Sequence, residues 1–336
     1  MDFKKVFDIC ESMFKKGFLK LIALFCGLLI LGSPAALLAE SKQKISIATG
    51  GMGGVYFVMG GGLASLLTKY ADVDATAEVT AASVDNCKLI GAKKAEIGFV
   101  LADTGFDAFK GTGAFKSPIP VRVLAVIYPN KNHVVTLEGK GIKQVADLKG
   151  KRVSTGSPGS GTEVVAFRIL EAAGLDPKKD ITMDRLGVAE SGGALKDGKI
   201  DAYIWSGGVP TAAVLDVSAS PGIKMALISH GDLIDRMNAK YGNIYYQSDI
   251  PKGVYTGISE DIIVSTVPNV LLCHQDMDEK MAYNVVKTLF DKLPELVAIH
   301  KEANNINLKT GASSTFIPYH KGAAKFFSEN GLTVFQ

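Results

Sequence analysis

The chain alternates short apolar segments with longer segments in which apolar residues recur every three or four positions. The short segments predict buried β-strands, and the longer ones predict helices with one buried face. In the first third, residues 45–48 and 75–80 predict strands on either side of a helix over residues 55–70. A helix with Ser83 as its N-cap and a strand over residues 97–101 follow. This alternation predicts an α/β fold with a largely parallel sheet.

The same succession repeats in the middle of the chain, where a strand again passes through glycines into a helix. The helix after these glycines ends near Gly174, with Pro177 beyond it as a stop signal. The last third holds one long apolar stretch around Pro268, which predicts a crossing strand, and then a helical tail. Strands are predicted at residues 121–128, 133–137, 151–154, 181–185, 202–205 and 262–273, and helices or helical turns at 104–110, 142–148, 191–196, up to Val217, 279–292, 294–301 and 319–330.

Two similar halves followed by helices predict a chain that builds one lobe, then a second, and then returns to the first. We place the first lobe at residues 40–130 and 268–336, and the second at residues 131–267. The crossings near Pro129 and Pro268 are the expected hinge. A chain of this length is long enough for two domains of ordinary size.

Two glycine-rich loops, within residues 45–67 and 152–170, each connect an apolar strand to a helix. Such a loop exposes backbone N–H groups, and the helix that follows adds the positive end of its dipole. Each loop is therefore suited to hold a small anion. Two such loops in one chain predict a ligand that is held between the two lobes.

The second loop also carries hydroxyl groups. Ser157, Ser160 and Thr162 lie within one turn, and Gly156 and Gly161 expose their amides beside them. We expect all five residues to contact the ligand. Ser160 also forms a capping box with the glutamate three residues later, a structural role that is compatible with ligand contact.

In the first lobe the candidate ligand contacts are single polar side chains near strand ends. Tyr56 is expected to reach into the cleft with its hydroxyl, with a place in the core as the alternative. Asp103 follows a strand at its carboxyl end, where open sheets bind ligands, although it can also cap the next helix. Ser83 and Asn86 present the same two alternatives. Trp205 fits the core and the cleft wall equally well.

The N-terminal segment has the order of a secretory signal peptide: lysines, an apolar run over residues 21–31, and then small residues. We expect a signal peptide over residues 1–39 and a location in the periplasm. Cleavage is expected after Ala39, with Ala36 as the alternative site. An uncleaved anchor is the other interpretation, and Met13 is a second possible start.

Composition excludes several classes of protein. Residues 1–39 hold five lysines and three acidic residues, so without them Lys and Arg total 32, Asp and Glu total 31, and the net charge is about +1. Nothing in that balance indicates a nucleic acid as partner. The remaining cysteines, Cys87 and Cys273, are expected to be free thiols, with a disulfide as the alternative.

No catalytic or cofactor motif accompanies the glycine loops. Neither loop matches the phosphate-binding or dinucleotide-binding pattern, and no serine lies in a nucleophile elbow. The five histidines are far apart in sequence, without the paired spacing of a zinc site. We therefore expect no cofactor, no metal ion and no enzymatic activity.

Four motifs occur in order along the chain: ATGGMGGVYFVMGGGLASLL, DLKGKRVSTGSPGSGTE, LKDGKIDAYIWSGGVPT and KTLFDKLPELVAIH. Together they resemble the TAXI family, the extracytoplasmic solute receptors of tripartite ATP-independent periplasmic (TRAP) transporters. The resemblance implies a type II periplasmic-binding-protein fold, in which two α/β lobes joined by two crossing strands enclose a ligand cleft. It also implies that the protein captures glutamate, glutamine or a related dicarboxylate and delivers it to a membrane permease.

The resemblance adds residues 208–211 to the expected site, with Gly208 and Thr211 as ligand contacts, and it matches the residues named above. The chain departs from the family at Phe57 and Ala102 and over residues 255–258, where polar groups are missing. These departures argue against glutamate itself and leave a small organic acid. The alternative functions are an exported sensor domain and an enzyme on the same two-lobe fold.

Overall fold

A computed structural model describes Asp8, Glu11 and residues 42–336. The predicted signal peptide and its cleavage site lie outside the described residues, apart from Asp8 and Glu11. All elements reported below belong to one compact unit, Gln43–Gln336. Among the described residues, no helix is both long enough and apolar enough to cross a membrane.

A single mixed sheet of ten strands runs through this unit. Its strands are β1 (Gln43–Ala48), β2 (Val73–Glu78), β3 (Ile97–Leu101), β4 (Val121–Leu137), β5 (Arg152–Ser154), β6 (Thr182–Asp184), β7 (Ala202–Gly207), β8 (Met225–Leu227), β9 (Tyr246–Ile250) and β10 (Ile262–His274). The strand order is β2-β1-β3-β10-β4-β7-β5-β6, with β8 beside β4 and β9 beside β10. The two outer groups are parallel, and the central β4 and β10 are antiparallel to their neighbours.

The two central strands are the ones that pass from one lobe to the other. The first part of β4 pairs with the end of β10, and the rest of β4 pairs with β7 and β8. Pro129 lies opposite Pro268 where the partners change. Because proline has no N–H to donate to a ladder, the pairing is weakest at this point. The sequence predicted two strands here, but β4 continues through Pro129 as one strand of 17 residues.

Helices cover both faces of the sheet. They are α1 (Val55–Tyr70), α2 (Ser83–Gly91), α3 (Ala102–Lys110), α4 (Gly161–Ala172), α5 (Val188–Lys196), α6 (Ala212–Ala219), α7 (Ile234–Tyr241), α8 (Glu279–Asp291), α9 (Leu293–Ile299), α10 (Leu308–Gly311) and α11 (Lys321–Glu329). Short 3-10 turns add Val145–Leu148, Gly231–Leu233 and Lys301–Asn305. The bounds of α1 and β3 are those predicted.

Two local predictions differ from the structure. Ser83 is the first residue of α2 rather than its N-cap; the N-cap is Ala82, and the Ser83 hydroxyl instead accepts a bond of 3.0 Å from the Leu101 N–H. The segment between α6 and β10 had no predicted elements and contains β8, α7 and β9. Both α7 and β9 are short and have few buried residues, so few apolar positions mark them in the sequence.

Cys87 and Cys273 are free and buried, as expected for residues that pack like small apolar side chains. Burial raises the pKa of both thiols well above the ordinary value. Both belong to the larger of two apolar clusters, which covers the β1–β3 side of the sheet and extends under α4 and α8. The smaller cluster lies around β7 and β8.

A buried ion cluster connects the lobes beside α3 and α4. Arg168 of α4 donates to the carboxylates of Asp103 (3.2 Å) and Asp107 (2.5 Å), which lie on α3. Tyr245 accepts from Arg168 at 2.9 Å and donates to Asp103. The guanidinium also lies 4.4 Å from the centre of the Tyr241 ring. Because Asp103 is fully buried and Arg168 nearly so, each charge depends on the other for compensation.

Two histidines of the second lobe are buried in polar networks. His133 contacts the Tyr255 hydroxyl at 3.0 Å, and His230 contacts the Ser265 hydroxyl at 3.0 Å. Burial lowers the pKa of each to about 4, against an ordinary value near 6.5. Both rings are therefore neutral in the folded protein at neutral pH.

These histidines predict a loss of stability in mild acid. Between pH 6.5 and 4 the unfolded chain binds protons at positions that the folded chain keeps neutral, so the free energy of unfolding falls as the pH falls. We expect a loss of roughly 1–2 kcal/mol for each of the two histidines between pH 7.5 and 5.5. Urea unfolding at both pH values measures it. His274, His300 and His320 also have lowered pKa values, because burial disfavours the charged form, and they act in the same direction. A free energy that is equal at both pH values would contradict this assignment.

The ion cluster predicts that Arg168→Gln is strongly destabilising. The substitution leaves the carboxylates of Asp103 and Asp107 without their cation, and we expect unfolding to cost about 3–5 kcal/mol less. Urea unfolding at pH 7.5 measures the loss. Lys240→Gln is the matched control, because Lys240 pairs with Glu171 at the surface, where such pairs contribute less than about 1 kcal/mol. Equal effects of the two variants would show that the cluster does not hold the lobes.

Candidate functional site

A cavity of about 60 Å³ lies between the lobes, large enough for several water molecules or a small organic molecule. Both glycine-rich loops border it. The lining residues are Gly50, Gly51, Gly54, Val55, Tyr56, Ala81, Ala82, Ser83, Leu101, Asn130, Gly156, Ser157, Ser160, Gly161, Thr162, Leu186, Gly187, Val188, Ser191, Ile204, Trp205, Ser206 and Gly207. None of these residues is a lysine, arginine, histidine, aspartate or glutamate.

Five helices begin at the cavity, three in the first lobe and two in the second. The N-caps of α1, α2 and α3 are Gly54, Ala82 and Leu101, and those of α4 and α5 are Ser160 and Gly187. All five N-caps belong to the lining. They meet here because each helix follows a strand whose carboxyl end points toward the crossing of β4 and β10, from opposite sides in the two lobes. The N–H groups and dipoles of five helices give the cavity a positive potential without a cationic side chain.

The second glycine loop reaches across the cavity to the first lobe. The N–H of Asp85 donates to the carbonyl of Gly159 at 3.2 Å. A Cβ on Gly161 would lie only 2.6 Å from the Ser83 hydroxyl and 2.8 Å from a Leu101 methyl group, so only glycine allows this approach. On the other side of the cleft, a Cβ on Gly54 would lie 3.0 Å from the Trp205 ring. The lobes are therefore in contact around the cavity.

Half of the capping box predicted for α4 forms. The Ser160 hydroxyl accepts from the Glu163 N–H at 3.0 Å. The Ser160 N–H, however, donates to the Ser157 carbonyl, and the Glu163 carboxylate accepts from the Gly159 N–H at 3.2 Å and pairs with Arg185. This pairing neutralises the acidic residue nearest the loop.

Tyr56 lines the cavity, and its hydroxyl belongs to a chain of hydrogen bonds at the crossing strands. It donates to the Asn269 side chain of β10. Asn269 donates to Asn130 of β4 at 2.6 Å, and Asn130 donates to the Ser206 carbonyl at 3.2 Å. Burial raises the Tyr56 pKa well above the ordinary value. The ring of Tyr56 borders the cavity while its hydroxyl connects helix α1 to both crossing strands.

Four predicted site residues lie outside the lining. The Asn86 amide donates to the carbonyls of Thr49 (2.7 Å) and Phe99 (2.8 Å), so it holds the loop after β1 to strand β3. Asp103 is buried in the ion cluster with Arg168. Both side chains have their hydrogen-bonding capacity occupied by the protein.

Gly208 and Thr211 are the other two predicted site residues outside the lining, and they lie behind the wall of the cavity. The Thr211 hydroxyl accepts from the Trp205 indole N–H at 2.9 Å and donates to the Gly208 carbonyl at 2.7 Å. A Cβ on Gly208 would lie 2.7 Å from Glu302, which closes that loop from outside. Thr211 therefore fixes the orientation of Trp205, which does line the cavity.

The structure brings together Tyr56, Ser83, Gly156, Ser157, Ser160, Gly161 and Thr162, all of which were predicted. Sequence reasoning did not include Ser206, Asn130, Ser191 or the wall formed by Leu186, Val188 and Ile204. Ser206 is notable because its hydroxyl is buried and has no hydrogen-bond partner among the described residues. In the sequence, the one indication that Ser206 belongs to the site is that it follows Trp205 near the end of strand β7, and this indication is weak.

No cluster of His, Cys, Asp or Glu within the part of the chain that the structure describes could hold a metal ion. What the cavity offers is hydrogen-bond donors, helix N-termini and an apolar wall. This arrangement suits a small anion with a compact apolar part.

Solved structures with the same architecture include PhnD1 from Prochlorococcus marinus in complex with methylphosphonate, with a TM-score of 0.53 and 13% identity over 79% of this chain and 91% of that chain. An ancestral arginine-binding protein bound to arginine has a TM-score of 0.51 and 13% identity over 78% of this chain and 98% of that chain. A protein structure from Bordetella bronchiseptica RB50 has a TM-score of 0.52 and 19% identity over 86% of this chain and 82% of that chain. These likenesses confirm the predicted fold, two α/β lobes joined by two crossing strands around a ligand cleft.

The model of one protein family matches residues 47–331, which include every strand from β2 to β10 and both glycine-rich loops. The match spans most of the chain and both lobes. The chain therefore belongs to the NMT1-like family.

Proposed function

We propose that the protein is an extracytoplasmic solute-binding protein that captures a small carboxylate and delivers it to a membrane permease. The observation that carries the proposal is the convergence of five helix N-termini on a neutral cavity between two lobes. Within this proposal, residues 1–39 are a signal peptide that directs the chain to the periplasm. The resemblance of the motifs to TAXI receptors favours a TRAP permease as the partner.

The ligand carboxylate is placed on the second glycine loop. The first N–H groups of a helix have no acceptor within the helix. In α4 the Glu163 N–H is capped by Ser160, which leaves the N–H groups of Gly161 and Thr162 to face the cavity. With the hydroxyls of Ser157, Ser160 and Thr162, these groups form a set of donors for one carboxylate. Charge-assisted bonds of this kind are about twice as strong as neutral ones.

Closure of the lobes is the second part of the proposal. We assign residues 40–130 and 268–336 to the first lobe and residues 131–267 to the second, with the hinge where Pro129 faces Pro268. The contacts of Gly159 and Gly161 with α2 belong to the closed form. A permease that binds the closed form better than the open form then distinguishes loaded from empty receptor.

The enzyme alternative lacks support in the lining. General acid–base catalysis needs a titratable group near the substrate, with a pKa near the working pH. The titratable side chain in the lining is Tyr56, and burial moves its pKa away from neutrality. No specific observation favours catalysis over capture.

Gly161→Ala tests whether this cavity is the binding site. The new methyl group would lie within 3 Å of Ser83 and Leu101 and hold the lobes apart. We expect the affinity for the carboxylate to fall about tenfold or more, the equivalent of a moderate steric penalty. Calorimetric titration of the purified variant measures it. Gly193→Ala on α5 is the matched control, because a Cβ there meets open space, and its affinity should equal that of the parent.

Uptake by cells that carry the cognate permease should fall in parallel with affinity. Equal affinities of Gly161→Ala and Gly193→Ala would contradict the placement of the site. Reduced affinity with unchanged uptake would instead indicate a sensor domain.

A further inference from the structure

The hydroxyls in the second lobe's part of the cavity are arranged as hydrogen-bond donors. The Ser160 oxygen already accepts from the Glu163 N–H at 3.0 Å, and the Thr162 oxygen accepts from the Ser206 N–H at 3.4 Å. A hydroxyl oxygen that accepts an N–H bond still has its own proton to donate. Together with the helix N–H groups, these side chains offer protons rather than lone pairs.

Ser206 is a separate observation that indicates a ligand. The residue lines the cavity and is only 4% exposed, and its hydroxyl oxygen is buried without a partner among the described residues. A buried hydroxyl without a partner loses its bonds to water and gains none in return. Rotation of the side chain about its Cα–Cβ bond toward the cavity would let an acceptor atom on a bound ligand satisfy the hydroxyl.

The lining of the same cavity contains no carboxylate that could pair with a cationic group. Nearby, Glu163 is paired with Arg185 and Asp103 with Arg168. Glu190, in the first turn of α5, is exposed and outside the lining. The side-chain amide oxygen of Asn130 accepts from Asn269, so it too is occupied. An ammonium group buried here would lose its water without gaining a counter-charge.

We infer that the ligand is a small carboxylate whose other polar groups accept hydrogen bonds, as in a 2-oxo acid, and that α-amino acids are excluded. The carboxylate occupies the donors of the α4 N-terminus, and the oxo group accepts from Ser206. Val188, Ile204 and Trp205 contact the carbon chain. This inference rests on the proposed function and selects one class among the carboxylates that the receptor could bind.

Matched pairs of probes test the inference, because each pair differs only at the 2-position. The pairs are pyruvate with alanine and 2-oxoglutarate with glutamate, titrated calorimetrically into the purified protein at pH 7.5. We expect at least one oxo acid to bind ten times or more tightly than its matched amino acid. An amino acid that binds as tightly as its oxo acid would overturn the inference and leave the receptor function standing. No binding by any of the four would overturn both.

Ser206→Ala tests the position of the oxo group. The variant should bind the preferred oxo acid about five to ten times more weakly, the usual effect of one lost hydrogen bond. Ser328→Ala, at an exposed site on α11, is the matched control and should bind like the parent. The thermal midpoint of Ser206→Ala should not fall, because the hydroxyl makes no bond within the described protein. An unchanged affinity in Ser206→Ala would remove the residue from the proposed contact.

Discussion

An anion in the cavity between the lobes has to be neutralised without a cationic side chain, and the architecture of the site depends on this constraint. The 23 lining residues include no lysine, arginine or histidine. The compensating charge comes from partial charges at five helix N-termini and from N–H and O–H donors. The N–H groups are fixed by the backbone, so binding requires little reorganisation of these donors. Both lobes contribute helix N-termini to the cavity.

The sheet explains why the donors meet. Strands β1, β2 and β3 in the first lobe, and β5 and β6 in the second, each lead into a helix at their carboxyl end. The two groups run in opposite directions, so their carboxyl ends face each other at the crossing strands β4 and β10. The chain of bonds from Tyr56 through Asn269 and Asn130 fixes this junction. The Arg168 cluster then holds α3 and α4 side by side. The cavity is the space that remains between these contacts.

Much of this arrangement could be predicted from the sequence, because it depends on local signals. The glycine loops, the N-cap at Ser160 and the return of the chain at Pro268 each leave a pattern within a few residues. The structure brings Gly156, Ser157, Ser160, Gly161 and Thr162 to the same cavity as Tyr56 and Ser83. The prediction divided β4 into two strands because Pro129 interrupts the apolar pattern. In the structure Pro129 lies within one strand and faces Pro268, a residue remote in sequence.

Side chains whose partners are distant in sequence were harder to assign. Asp103 follows a strand end, as a ligand contact would, and only the fold reveals that Arg168 neutralises it. Thr211 has the same ambiguity, since its partner is the Trp205 indole. Ser206 could not be found, because an unsatisfied hydroxyl is a property of its surroundings. Local patterns predict where backbone donors converge, whereas the pairing of buried polar side chains requires the folded chain.

The most direct test of the account is the fluorescence of Trp205, because it is the only tryptophan of the chain and it lines the cavity. Titration with the small carboxylate that binds in calorimetry should produce a saturable change in tryptophan emission with the same dissociation constant. This result would place the ligand against the Trp205 ring, between the lobes. Binding detected by calorimetry with no change in Trp205 emission would place the ligand elsewhere and contradict the account.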